Sequence, residues 1–436
     1  MTDTFLIIYP VQWTFCDTTR TFLAKLRKER GLQIVLADDS PVTSENDIFD
    51  DFIKIPSSEH VQDTYETLSN WCDKHSVKGI YMQSEAALPV GSLLARELEL
   101  PGPSVEAVHL CINKYLSRKR LSQYGVPTPQ FTIGENASDV YKYVSEFGYP
   151  LVLKAVASAH SKLVTPVYSK EGVEPAVQYL KASLIKSREI IRLSNFARLA
   201  GLEPGCSLKR QFLIESFVEG DSLETDGIIV EGEPITFGIT EQIPSKDTPF
   251  FIEGYLCPAD HPVTKLQEIR RLSDLSLAAT GLHSSGFSIE MRVKADQTYI
   301  IEVNGRLGSD DGFGELYETY TGNLPALQAL KLSLGLPLES ASDEDVCVAV
   351  AYRSYYDDGI IDKLPEELIS PNLDYGDITC GTMCKEGTRL YKPPHPDAYP
   401  HLAWVKTTHP ETSRDAYLSA RMVADKLDIS VKPIEH

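Results

Sequence analysis

Four side chains in one short stretch have the types and spacing to hold a metal ion beside a reacting anion: Glu290, Glu302, Asn304 and Arg306, within GFSIEMRVKADQTYIIEVNGRLGSDD from Gly286 to Asp311. β-Branched and aromatic residues alternate with polar ones over Phe287 to Lys294 and over Thr298 to Asn304. Ala295-Asp296-Gln297 makes a polar break between the runs, so the stretch predicts a β-hairpin. Centred on Asp296, the pairing sets Lys294 against Thr298, Arg292 against Ile300, Glu290 against Glu302 and Ser288 against Asn304. Directly opposed residues have Cβ atoms about 4.5 to 5.5 Å apart, and two carboxylates there repel unless a cation lies between them. Side chains repeat every second residue, so Glu302 and Asn304 share a face with Glu290 while Ile301 and Val303 turn to the core. Three hard oxygen donors suit Mg²⁺, which keeps water or nucleotide phosphate oxygens in the rest of its octahedron. A solvated strand face with incidental acids is the plainer reading of any Glu pair, but it leaves the asparagine and Arg306 unexplained.

The run IIEVNGRLGSD, preceded by GFSIEMRV, resembles the metal-binding core of the ATP-grasp ligases, whose pattern is a Glu on one strand and E-x-N-x-R on the next. The resemblance implies that Glu290, Glu302 and Asn304 hold Mg²⁺, with Mn²⁺ as the alternative ion. It also implies that Arg306 acts on phosphate and acyl-phosphate oxygens. Asn113-Lys114 with Arg118, followed by Gly125-Val-Pro-Thr-Pro129, resembles the family's entry segment, in which the lysine reaches the nucleotide phosphates; outside that resemblance Lys114 reads as an exposed helix lysine. In YPLVLKAVASAHSKLVTPVYS, Lys154 ends an apolar strand, where an unpaired ammonium loses its hydration; the resemblance makes it the second ATP lysine. Ser158 to Lys162 then takes the place of the loop over the phosphates. Relatives make that loop glycine-rich so that backbone N–H groups approach the phosphates. Here it has no glycine, Leu163 stands where Gly is common, and His160, Ser161 and Lys162 offer side-chain donors instead.

QFLIESFVEGDSLETDG resembles the family's hinge, in which Glu215 and the backbone of Ser216, Phe217 and Val218 read the adenine edge. Ser222 falls where an acid usually holds the ribose, leaving Glu224 or Glu219 for that role. Pro249-Phe-Phe-Ile-Glu253, followed by Pro258-Ala, resembles the F-F-x-E…P-A segment of the bacterial L-amino-acid ligases, in which the Glu lies near an amino group. Glu253 is therefore the expected substrate ligand. The plainer reading pairs it with a structural Arg, since a carboxylate in an apolar stretch needs a partner.

These residues need a scaffold. FLIIYP (5–10) and QIVLAD (33–38) flank a helix from Asp17 to Arg30. A run from Phe52 to Ile55, a helix through Trp71 and a strand from Gly79 to Met82 continue the alternation, predicting an open parallel α/β domain over residues 1–112. No G-x-G-x-x-G follows the first strand, so the dinucleotide fingerprint is missing. Glu85 lies just past the fourth strand, where ligands sit in such sheets. It is a second expected substrate contact, read equally as an acid at a helix N-terminus. The resemblance implies an ATP-grasp domain over residues 113–335, with a lid at about 130–219 whose basic stretch 171–210 reads as a solvated helical face. Strands from Val346 to Tyr352 and Tyr399 to Lys406, with a last helix from Ser413 to Lys426, predict a small α+β cap over 336–436. The expected fold class is thus mixed α/β and α+β: the ATP-grasp fold, with a two-part ATP-binding region between an N-terminal open α/β domain and a C-terminal cap.

Composition sets the outer limits. At 436 residues the chain has room for about three domains, and its net charge of −20 argues against a nucleic-acid backbone as partner. The N-terminal apolar run is too short for a signal peptide or a membrane span, which makes a cytoplasmic location the default. Eight scattered cysteines predict neither disulfides nor, around Cys380 and Cys384, a zinc site. The partners expected are small-molecule substrates, ATP among them, with a homodimer as the one assembly considered and neither nucleic acid nor membrane. The resemblance implies an ATP-dependent ligase that joins the carboxylate of one amino acid to the amine of another through an acyl phosphate. The alternatives are a carboxylase or purine-pathway ligase of the same fold, and a catalytically silent nucleotide-binding regulator. The intact Glu/Glu/Asn/Arg set opposes the silent reading and the glycine-free loop favours it.

Overall fold

The structure, a computed structural model, describes residues 2–10, 15–40, 48–159, 161–246, 248–308, 310–340, 346–365, 378–393, 395 and 397–434. Its first sheet is parallel, with strands in the order Asp51–Lys54, Gln33–Asp38, Asp3–Ile8, Ser76–Tyr81. Phe5, Leu6, Ile7 and Ile8 are all fully buried, as a parallel strand covered on both faces requires. The crossover helix Asp17–Arg30 packs Leu23 and Leu26 inward and stops at Gly31, whose φ of 62° is the left-handed C-terminal turn that glycine adopts without steric cost. Past the fourth strand, Ser84 donates to the Tyr9 carbonyl at 2.7 Å and accepts from the Ala87 amide at 3.1 Å. That turn fixes Glu85 at the mouth of the sheet, just before the helix Ala87–Glu97.

A four-stranded antiparallel sheet, ordered Phe131–Gly134, Phe212–Ser216, Leu151–Lys154, Val164–Val167, forms the lid with the helices Ala137–Phe147, Val173–Leu184 and Arg188–Ala200. Asn136 and Asp139 close the first of these helices with a reciprocal capping box. The expectation of a solvated basic face over 171–210 is corrected here. Arg188 pairs with Glu59 at 2.9 Å, Arg192 donates to Ser58 at 2.8 Å and Arg198 to Gln62 at 2.9 Å, so the helix Arg188–Ala200 ties the lid to the N-terminal domain.

The third sheet has eight strands, in the order Thr298–Asn304, Ser285–Val293, Asp221–Val230, Glu233–Pro244, Ile252–Cys257, Cys347–Ser354, His401–His409, Thr379–Thr382. It runs straight through the expected boundary at 335/336: Gly254 pairs with Ala351, and Ala351 with Val405. The two long C-terminal strands therefore extend the sheet that carries the site, and the helix Ser413–Lys426 packs Ala416, Ala420, Val423 and Ala424 against it. A separate three-stranded sheet is made by Gly359–Lys363, Arg389–Leu390 and Ser430–Pro433. All eight cysteines are free thiols. No helix of the described residues is long and apolar enough to cross a membrane.

Candidate active site

Three neighbouring strands of the large sheet set out a grid of polar side chains. Glu224 faces Glu290, which faces Glu302; one step along, Asp226 faces Ser288, which faces Asn304. The opposed pairs Glu290/Glu302 and Ser288/Asn304 are those the sequence pattern predicts. Nearer the turn the register differs from expectation: Met291 faces Ile300, Arg292 faces Tyr299 and Val293 faces Thr298. Ile301 is the extra residue of a bulge, and its carbonyl, freed from the ladder, accepts from the Arg118 guanidinium. On the other side of the bulge the Ile300 amide donates to Pro127 at 2.9 Å.

The grid is acid-rich and buried. Burial, and then Glu302, push the Glu290 carboxyl up to about 7. Burial pushes Asp226 to about 7 as well, although it accepts from the Gly308 amide at 2.9 Å and Tyr317 OH at 3.2 Å. Glu224 is raised well above the carboxylate range by burial and by Asp226 and Glu290. Gln242 donates to it at 2.9 Å, and Ser288 also hydrogen-bonds it. Glu224 is thus turned into the sheet, with Ser222 and Gln242 hydrogen-bonded beside it at 2.5 Å. Among the described residues no three Asp, Glu, His or Cys side chains already converge as a metal centre, and Glu302 pairs with the Lys114 ammonium at 2.5 Å. Even so the donor set fits a hard divalent cation: Glu290 and Glu302 are opposed carboxylates, the first raised by burial and by the second, and Asn304 adds a neutral oxygen on the same face.

The facing wall is cationic. Glu215, 1% exposed, bonds Arg118 and Lys154 at 2.6 Å each. Against the burial that would raise it, these two cations hold its carboxyl down to about 2. Glu215 lines the cleft beside Ser216, Phe217 and Val218, and each of its oxygens holds one cation, so it fixes Lys154 as well as standing at the expected hinge. Of the hinge amides, Ser216 donates to Gln130 at 2.9 Å and Phe217 to Pro150 at 3.1 Å; the Val218 amide has no partner among the described residues. Lys114 is buried rather than exposed, in the first turn of a helix that Asn113 caps. In the loop over this wall, Ser161 and Leu163 have φ of 57° and 54°, so the glycine-like turn forms without glycine, at a strain of roughly 1 to 2 kcal/mol per residue. Ser161 donates to the Phe250 carbonyl at 2.8 Å, tying the loop to the opposite side of the cleft. His160 lies outside the described residues.

Arg306 follows the grid and pairs with Glu85 at 3.0 Å, so two expected site residues are in fact partners, with Arg192 4.0 Å from the same carboxylate. Glu253 is the clear correction. Regular alternation would put Glu253 on the face of Tyr255, but the strand Ile252–Cys257 is irregular there: Ile243 pairs with Gly254 and Pro244 with Ile252, so Glu253 is skipped, and it falls outside the cleft that Ile252 and Tyr255 line. There its carboxylate meets Arg421 and Ser354 at 3.4 Å, and Tyr356 as well. It is the glutamate of a structural arginine. The sequence reading passed over Asp226, Gln242, Tyr255 and Asp310. For Asp226 a signal existed, two residues beyond Glu224 on the same strand face; Tyr255 and Asp310 meet only through tertiary structure.

Lys154, Glu215, the acidic grid and Arg306 all lie within residues 147–313, which match the model of the ATP-grasp domain. The chain carries an ATP-grasp domain. The ATP-grasp fold extends beyond that match: a solved L-amino acid ligase from Bacillus licheniformis superposes with a TM-score of 0.76 over 100% of this chain and 99% of its own, at 17% identity. Over 237 residues the chain is 28% identical to the uncharacterized protein y4rH of Sinorhizobium fredii, covering 54% of this chain and 44% of that protein. Over 281 residues it is 24% identical to a formate-dependent phosphoribosylglycinamide formyltransferase of Rhodococcus jostii, covering 62% of each. The matches thus span less than two thirds of either relative.

Proposed function

We propose that this ATP-grasp protein joins the carboxylate of one small molecule to the amine of another with conversion of ATP to ADP and phosphate, amino acids being the substrates. The observation that carries the reading is the opposition, across one cleft, of the Glu290/Glu302/Asn304 face and the Lys114/Lys154 wall, with Arg306 at the edge of both. Anionic phosphates between these surfaces meet ammonium groups on one side and, on the other, donors for Mg²⁺. That ion, when bound by Glu290, Glu302 and Asn304, supplies positive charge to the phosphate oxygens.

A carboxylate is a poor acyl donor because its oxygen is a poor leaving group until it is phosphorylated. In the proposed reaction its oxygen attacks the γ-phosphorus, the bond to the ADP oxygen breaks, and an acyl phosphate results. The amine nitrogen then attacks the acyl carbon, loses a proton, and phosphate leaves with the former carboxylate oxygen. No protein nucleophile is needed. Lys114 and Lys154 orient the phosphates, and Arg306, held in place by Glu85, offers its guanidinium to charge developing on the acyl oxygens; positioning and charge stabilisation supply the rate.

The amino-acid assignment is supported by the likeness of fold to the Bacillus ligase, and a purine-pathway acceptor by the Rhodococcus relative. Both readings are tested by incubating ATP with ¹⁸O-carboxylate amino acids in all pairs, with and without bicarbonate. The account expects ADP, and ¹⁸O in the released phosphate, for some pair without bicarbonate. Turnover that requires bicarbonate selects the second reading, and AMP with pyrophosphate overturns the acyl-phosphate route.

A further inference from the structure

We propose that Asp310, with the rings of Tyr255, Phe313, Tyr399 and His401, forms a subsite for a substrate ammonium group carried on an apolar or aromatic skeleton. All five residues border the cleft. Asp310 lies on the loop that leaves the acidic grid, four residues beyond Arg306, and enters the helix Phe313–Thr321, so it is tied to the reacting end of the site. Tyr255 OH donates to its Oδ2 at 2.5 Å, and no described residue forms an ion pair with it.

Around this carboxylate the walls are aromatic. Tyr255 and Phe313 have ring centroids 4.6 Å apart, and Tyr399 stands edge-on to His401 at 5.5 Å. Burial lifts the Tyr255 phenol well above its usual range, and so does Asp310. Apolar walls make an unpaired carboxylate costly, and ring faces attract a cation; a substrate –NH₃⁺ satisfies both. Two residues before Tyr255, Glu253 shows the contrasting case: at the irregularity of the strand it falls outside the cleft lining and already has its cation in Arg421. Tyr399, just before the strand His401–His409, and His401, its first residue, lie outside the 147–313 match, so this part of the wall is built by the chain's C-terminal region.

The inference deepens the ligase reading, which says what the ammonium is for, but its test needs no turnover. Calorimetry on the full chain at pH 7 compares 2-phenylethylamine with 2-phenylethanol, which present an ammonium and a hydroxyl on the same skeleton, and measures ADP in parallel. The wild type is expected to bind the amine at least ~10-fold more tightly, the range of one charge-assisted hydrogen bond. Asp310→Asn should bring the two ligands within about twofold while leaving ADP affinity unchanged. Tyr399→Ala, at an exposed edge of the wall, should weaken the amine and keep the remaining preference. Equal binding of amine and alcohol to the wild type, or a preference that survives in Asp310→Asn, overturns the subsite. A preserved amine preference in a protein that neither binds ADP nor turns over would instead count against the ligase reading alone.

Discussion

On the lid side of the cleft, Arg118 and Lys154 share the single carboxylate of Glu215, which is held down to about 2. On the facing strands, burial first and then their mutual repulsion raise Glu224, Asp226 and Glu290, Asp226 and Glu290 to about 7. Both regions are buried and both carry acids, yet one is complete within the fold and the other is not. The difference lies in where the cations come from. On the lid wall Arg118 and Lys154 match the one carboxylate between them; on the acidic face Lys114 reaches Glu302 alone, and in the proposed function a bound cation supplies the rest.

Removing the shared carboxylate should break that comparison most severely. Glu215→Gln leaves two buried cations without their counter-ion, and loss of one partner of a buried pair costs about 3 to 5 kcal/mol. Chemical denaturation should show a loss of that order at pH 7, while an Arg306→Lys control, altered at a residue the wall does not use, should stay within about 1 kcal/mol of the wild type.

The two regions should also respond to pH with opposite sign. Glu215 ionises more readily folded than unfolded, so its contribution is present above about 4.5 and is lost as pH falls toward about 2. Glu290 ionises less readily when folded, so its contribution is present below about 4.5 and disappears as pH rises to about 7. Each change corresponds to roughly 3 kcal/mol. Metal-free protein in EDTA should therefore be most stable near pH 4 to 5 and lose stability toward neutrality, and Mg²⁺ with ATP should flatten the neutral side. A metal-free stability that climbs steadily from pH 5 to 8 would contradict the account of the acidic face.

How much of this was legible in the chain follows the range of the interactions. Glu290 opposite Glu302 could be read because a hairpin is local and its alternation is visible in the residues. The bulge at Ile301 could not, since its carbonyl is satisfied by Arg118, 183 positions away. The open α/β domain was likewise legible from its apolar runs and one helix length. The continuity of the large sheet across 335/336 was not, because strand pairing between Gly254 and Ala351 leaves no local mark. Glu253 shows the same limit at a single residue: the acid in an apolar stretch correctly signalled a buried partner, and only the sheet decides that the partner is Arg421.

Glu253→Gln sharpens that last point with the smallest expected effect. A part-exposed carboxylate hydrogen-bonded to Arg421, Tyr356 and Ser354 should cost about 1 to 2 kcal/mol when neutralised. The mutant should melt lower with unchanged KM values for every substrate; a rise in KM for one amino acid alone would return Glu253 to the site.

The division of labour between the two surfaces is tested most directly by ATP binding with and without Mg²⁺, in the wild type and in the Glu290→Gln/Glu302→Gln double variant. The account predicts that Mg²⁺ tightens ATP binding to the wild type by at least ~10-fold, and that the double variant loses this gain while its metal-free affinity, set by Lys114 and Lys154, is kept or improved. An Mg²⁺ enhancement that persists in the double variant would contradict it.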